Sequence, residues 1–224
     1  MAEREGVIKY RLDYTPSEPC DDRLLESIQQ WRLTLFQLGL MGQDPARYGG
    51  LGYGNISVRH GDGFIISGTQ TGGLERLTSE HYAIVEHCDP TTNHIIAQGP
   101  VKPSSEALTH GAVYALDDEI QAVIHVHSPE IWLSRDRLFL PSTPADVPYG
   151  TPEMAQAVQN LWQQDQLKLS PVFAMAGHED GVMSFGKDMT EAGMALLNTF
   201  QWARAFELND AIESGERPAG DKHF

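Results

Sequence analysis

The sequence predicts an α/β sandwich on a mainly antiparallel sheet, and three features of its pattern point there. Short apolar runs separated by turn residues fill the first half, segments with a 3.6-residue apolar period lie among and after them, and no linker-like stretch divides the chain. Residues 21–213 therefore read as one domain, with an arm over 1–20, where Pro16 and Pro19 stand among scattered charges, and a polar tail over 214–224. Asp21 or Asp22 can cap a first helix whose apolar residues Leu24, Leu25, Ile28, Trp31, Leu35 and Leu38 share a face, with Gly39 or Gly42 closing it. Ile56–Arg59 and Phe64–Ser67 flank His60-Gly61-Asp62-Gly63 and read as a hairpin; Tyr82–Cys88 and His94–Gln98 repeat the pattern. Ser104 or Ser105 can open a second helix running to about Leu116, and Ala122–His127 is short and β-branched enough to be a strand. Pro152–Gln164 and Thr190–Leu208 read as helices, with strands at Val172–Ala176 and Val182–Phe185 between them.

Composition narrows the function classes. Of the 224 residues, 41% are hydrophobic, and 16 Lys plus Arg stand against 31 Asp plus Glu, a formal net charge of -15. Such a body repels nucleic acid and anionic lipid, so neither is an expected partner, and an anionic substrate has to be captured by local donors. No apolar run approaches the roughly 20 residues of a membrane span, and Met1–Tyr10 lacks the apolar stretch of a signal peptide. Cys20 and Cys88 make no metal or redox spacing. A soluble, cytoplasmic protein with reduced thiols is the expectation.

His125 and His127 alternate on the predicted strand, so both imidazoles point to one face about 6.6 Å apart along the chain. Their neighbours Ala122, Val123, Ile124 and Val126 look buried, and a shared cation would satisfy two buried imidazoles. Zinc is the default for such ligands, with manganese, iron or cobalt compatible by residue type. His178, in Gly177-His178-Glu179-Asp180-Gly181, reads equally as a third ligand or as a hydrogen-bonded turn residue. Pro103-Ser104-Ser105-Glu106 places hydroxyls and amides at a helix start, which suits a phosphate but also ordinary capping. The loops Gly52-Tyr53-Gly54-Asn55 and Ser67–Gly73 could wrap the same anion or simply turn the chain. The remaining histidines, His110 included, read as surface or structural residues.

Taken in order, Asn55-Ile56-Ser57-Val58-Arg59, Ile65-Ile66-Ser67-Gly68, Pro103-Ser104-Ser105-Glu106 with His110, His125-Val126-His127-Ser128-Pro129 and the late His178 resemble the class II aldolase and adducin family over about Leu24–Leu208. The resemblance implies a three-layer α/β/α sandwich and a metal held by His125, His127 and His178, with Glu106 as a further ligand and as acid or base. It implies a phosphate site at Asn55, Thr71, Gly72, Ser104 and Ser105. The activity it implies is that of a zinc-dependent aldolase-type lyase acting through a metal-stabilised enediolate on a small, phosphorylated hydroxy-carbonyl sugar, in a homotetramer with sites at subunit borders. A dehydratase or 4-epimerase of the same family, or a non-catalytic adducin-like binding module, are the alternatives; Glu106, where epimerases carry aspartate, favours the lyases. This chain also departs from the pattern. Two extra residues stand between His178 and Gly181, the Gly68–Gly72 loop is long, and no tyrosine follows Tyr149, which leaves Tyr149 and Asp146 as candidates for the family's tyrosine acid.

Overall fold

The computed structural model describes residues 6–214. In chain order they form β1 (Arg11–Pro16), α1 (Glu26–Gln37), the two-residue strands β2 (Gly42–Gln43) and β3 (Gly52–Tyr53), β4 (Asn55–His60), β5 (Gly63–Ser67), β6 (Tyr82–Asp89) and β7 (His94–Gly99). There follow α2 (Ala107–Tyr114), β8 (Ala122–His127), α3 (Pro129–Ser134), β9 (Ser142–Thr143), α4 (Pro152–Gln163), α5 (Gln166–Leu169), β10 (Val172–Met175), β11 (Gly181–Gly186) and α6 (Met189–Ser214). Local chemistry accounts for the boundaries. Asp21 accepts the Arg23 amide at the turn that leads into α1, and Gly39, with φ 72°, closes that helix in the left-handed conformation glycine favours. Ser128 and Thr151 each accept an amide three residues on, opening α3 and α4.

The main sheet has the order β1-β7-β6-β5-β4-β8-β11-β10-β9. Its interior pairs are antiparallel, whereas β1 with β7 and β9 with β10 are parallel. The sheet is therefore mixed, antiparallel within and parallel at its two edges. Both parallel pairs join segments far apart in sequence (Arg11 lies beside His94), and no turn signal announces such a pairing. Within the arm expected over 1–20, residues 11–16 run as an edge strand that is mostly exposed, which is why they carry no apolar run. The tail expected over 214–224 starts at the last residue of α6 and otherwise lies outside the described residues.

Helices cover both faces of the sheet. Ala107, Leu108 and Val113 of α2 and Met154, Val158 and Leu161 of α4 pack on Phe64, Ile66, Val123 and Met183. Leu25, Ile28 and Leu35, with Ile131 of α3 and Ala192 and Leu196 of α6, pack on Ile56, Ile65, Ile124 and Val126. Alternation along β8 thus gives Ile124 and Val126 to one core and sends His125 and His127 to the α2 side. Among the described residues, no helix is long and apolar enough to cross a membrane.

Candidate active site

β8 lies between β4 and β11, with Asn55 opposite His125 and Gly181 opposite His127. The β10–β11 loop folds His178 back over this strand; a Cβ at Gly181 would stand 2.5 Å from His178 Cδ2, so only glycine lets the ring settle there. One nitrogen from each of His125, His127 and His178 lies within 4.8 Å of the others, and all three residues are buried. The Nε2 atoms of His127 and His178 are 3.1 Å apart, close to the roughly 3.3 Å between two nitrogens on one tetrahedral zinc. His125 Nδ1 donates to the Val182 carbonyl at 3.2 Å, which leaves Nε2 as a lone-pair acceptor, and that atom is buried without a hydrogen bond. Glu106, fully buried at the start of α2, brings Oε1 to 3.5 Å from His178 Nε2 and 3.9 Å from His125 Nε2. Burial holds the His125 pKa down at about 4. Burial first, then neighbouring positive charge, pushes His127 and His178 well below the ordinary histidine value. All are neutral near pH 7, the form that ligates metals. An orphaned imidazole nitrogen, two convergent ones and a carboxylate fit a divalent cation.

Beside this cluster, Asn55, Thr71, Gly72, Ser104 and Ser105 line one small pocket. Asn55 Oδ1 is buried without a hydrogen bond, and Thr71 Oγ1 donates to the Gly68 carbonyl at 2.7 Å. A Cβ on Gly72 would meet the Tyr53 amide nitrogen at 2.6 Å, so the loop closes only with glycine there. Arg32, buried in α1, donates to the Thr71, Gly72 and Glu75 carbonyls at 3.3, 2.9 and 2.8 Å and holds this loop from below. The N-cap position of α2 is Glu106, without a side-chain cap bond, and just before it Ser104 Oγ accepts the Glu106 amide at 3.2 Å.

The model of the family described as Class II Aldolase and Adducin N-terminal domain matches residues 46–206. The chain belongs to this family. It is 29% identical over 160 residues to 3-oxo-tetronate 4-phosphate decarboxylase of Haemophilus influenzae, covering 63% of this chain and 70% of that protein. Its structure resembles L-fuculose-1-phosphate aldolase from Thermus thermophilus, with a TM-score of 0.64, 21% identity, and 89% of this chain and 100% of that one covered. It resembles a sugar-phosphate aldolase from Thermotoga maritima at a TM-score of 0.65, with 17% identity, 88% of this chain and 98% of that one. At those identities the two structures speak for the fold, and the named relatives are enzymes.

Other residues of this family member gather less evenly. Tyr149 is buried with its ring centroid 4.5 Å from that of His178, and its hydroxyl accepts the Val7 amide at 3.2 Å. Asp146, on the loop before it, is exposed and is not brought into the cluster. His110 is fully buried, its Nδ1 2.7 Å from Ser57 Oγ. Sequence reasoning missed Arg47, Tyr48 and Asp180. The Tyr48 ring lies 4.4 Å from that of His127; its hydroxyl donates to Asp180 Oδ2 at 2.6 Å, and Arg47 Nη2 donates to the same oxygen at 2.8 Å. Tyr48 and Asp180 both have left-handed backbones, φ 50° and 61°, and such non-glycine conformations concentrate at functional sites. The two extra residues after His178 were the available signal, since they carry Asp180 to Tyr48.

Proposed function

We propose that this chain is a divalent-metal-dependent lyase that makes or breaks a carbon–carbon bond in a small, phosphorylated hydroxy-carbonyl sugar. The observation that carries the reading is the convergence of His125, His127, His178 and Glu106 on one buried point beside the pocket of Asn55, Thr71, Gly72, Ser104 and Ser105. The histidines would hold the cation, zinc by ligand type, with manganese, iron or cobalt as substitutes. A bound cation supplies a Lewis acid that stabilises the negative charge developing beside a substrate carbonyl. Glu106 Oε1, facing the same point, takes or gives the proton. The pocket amides and hydroxyls hold the phosphate and so fix which bond faces the histidines. Tyr149, packed on His178, is the proton donor in this reading. Exposed Asp146 acts only across a subunit border of the proposed homotetramer.

A second reading, decarboxylation of a 3-oxo sugar-acid phosphate, is favoured by the Haemophilus relative. Loss of CO2 leaves the electron pair on a carbon next to a carbonyl, as aldol cleavage does, so the same residues serve both. An adducin-like binding module has no need of the complete donor set. To test these, the zinc-loaded protein is offered a panel of phosphorylated ketoses and 3-oxo sugar-acid phosphates, and products are followed by NMR. Two carbonyl fragments from a ketose are the expected result and CO2 release supports the second reading; zinc uptake with no turnover across the panel would overturn both. Light scattering tests the tetramer, which predicts a mass four times the 24.8 kDa of one chain.

A further inference from the structure

The core-facing stripe of α1 contains a charge. Ile28 and Leu35 are buried on it, and Arg32, one turn from each, is only 3% exposed. An arginine is almost never buried so fully without a partner of opposite charge. Here the guanidinium donates to three backbone carbonyls, those of Thr71, Gly72 and Glu75, and its Cζ lies 5.0 Å from the centroid of the Phe36 ring. Tyr82 is its titratable neighbour, and burial keeps that phenol protonated and uncharged. Among the described residues, no carboxylate stands within ion-pair distance of Arg32. Carbonyls satisfy the N–H groups of a buried cation but leave its charge uncompensated.

The peptides that Arg32 holds have their other half turned elsewhere. In a trans peptide the C=O and N–H groups are opposed, so the Thr71 and Gly72 carbonyls, drawn to Arg32, turn the amides of Gly72 and Gly73 away from it. Among the described residues, neither amide has a protein acceptor. A Cβ on Gly52 would stand 3.0 Å from the Gly73 nitrogen and 3.2 Å from that of Gly72, so glycine at 52 keeps the space beside both amides clear. Gly52, Thr71 and Gly72 line the same pocket as Asn55, whose buried Oδ1 also makes no hydrogen bond. Successive amides of this kind form a nest for an oxyanion, and a fixed positive charge behind their peptide dipoles strengthens it. We propose that Arg32 is a positioning residue of this pocket: its buried charge holds the Gly72 and Gly73 amides toward a substrate phosphate and sets a preference for phosphorylated over neutral sugars. The proposal rests on the phosphate-pocket reading above.

The test uses the full chain reconstituted with zinc, titrated calorimetrically with 2-phosphoglycolate and with glycolate, which carries the same carboxylate without the phosphate. Ser105→Ala reports on the pocket itself and should weaken 2-phosphoglycolate alone. Arg32→Met keeps an apolar stem in the core and removes the charge; Arg32→Lys keeps the charge without the fork. In Arg32→Met, 2-phosphoglycolate should weaken by about tenfold or more while glycolate and zinc stay within about twofold, and Arg32→Lys should regain part of the loss. A merely structural role would weaken both probes alike, or leave Arg32→Lys no better than Arg32→Met, and either result overturns the proposal. Unchanged 2-phosphoglycolate binding in Arg32→Met, where Ser105→Ala weakens it, does the same. If Ser105→Ala also binds the probe unchanged, the phosphate-pocket reading fails first and this proposal with it. Should Arg32→Met not fold, NMR spectra of the unmodified chain and Arg32→Lys, both labelled with nitrogen-15 glycine, decide. Saturating 2-phosphoglycolate should move the Gly72 and Gly73 amide protons downfield, and less so in Arg32→Lys; amides that stay in place, or that shift equally in both proteins, overturn the proposal.

Discussion

Glu106 occupies the start of α2 with no exposure, and its carboxylate could serve either the helix dipole or a reacting proton. Distance favours the second, because Oε1 faces His178 Nε2 at 3.5 Å while Thr109 Oγ1 holds the other oxygen at 3.2 Å. Glu106→Gln keeps the shape and removes the base, so turnover should fall by roughly a hundredfold to ten-thousandfold. Zinc content and denaturant midpoint should change little; turnover within a few-fold of the parent would return Glu106 to a dipole partner worth about 0.3–1 kcal/mol. The single residues legible in the sequence were those whose placement follows from local rules. Strand alternation alone puts His125 and His127 on one face, and glycines flank His178 where a ring must fold back. Tyr48 was not legible, since it meets His127 through a left-handed backbone turn.

Among the elements, the hairpin β4–β5 and the helices α1 and α4 were legible because turn residues, the apolar spacing of α1 and the opening Pro152 of α4 are written locally. The parallel edges β1 and β9 were not, because an edge strand can be polar and its partner is chosen by the assembled sheet. The β10–β11 loop carries the clearest test at this scale. Asp180 ties it to Tyr48 and Arg47 through one carboxylate oxygen, so Asp180→Asn should loosen the loop that presents His178. Zinc affinity should fall by about tenfold, toward the low end of what supporting shells around metal ligands contribute; an unchanged affinity by competition with a chelator would show the tie to be incidental. Between α1 and α6, a Cβ on Gly193 would lie 2.3 Å from the Trp31 ring. Gly193→Ala should therefore destabilise by about 1–3 kcal/mol through overpacking, against the roughly 1 kcal/mol that alanine ordinarily gains in a helix. Urea unfolding decides this, and a raised midpoint would mean that the helices separate freely.

For the whole molecule, four buried neutral histidines couple folding to pH. Burial lowers the pKa of His110, His125, His127 and His178. Above about pH 6.5 both folded and unfolded chains hold these rings neutral, and they add no pH dependence. Below it the unfolded chain binds protons that the folded chain refuses, so stability falls as pH drops, for His125 until about 4. The urea midpoint of metal-free protein should accordingly decline from pH 7.5 to 5.5, and a flat profile would mean that the rings are solvated rather than buried. Assembly of this site from α2, β8 and the β10–β11 loop has one purpose in the present reading, which is to hold a cation where substrate can reach it. Metal analysis of the protein after zinc reconstitution and gel filtration tests that most directly. The expected result is about one zinc per chain, lost in His125→Ala and in His127→Ala while both variants remain folded. Near-zero zinc in the unmodified protein, or full zinc in both variants, would contradict it.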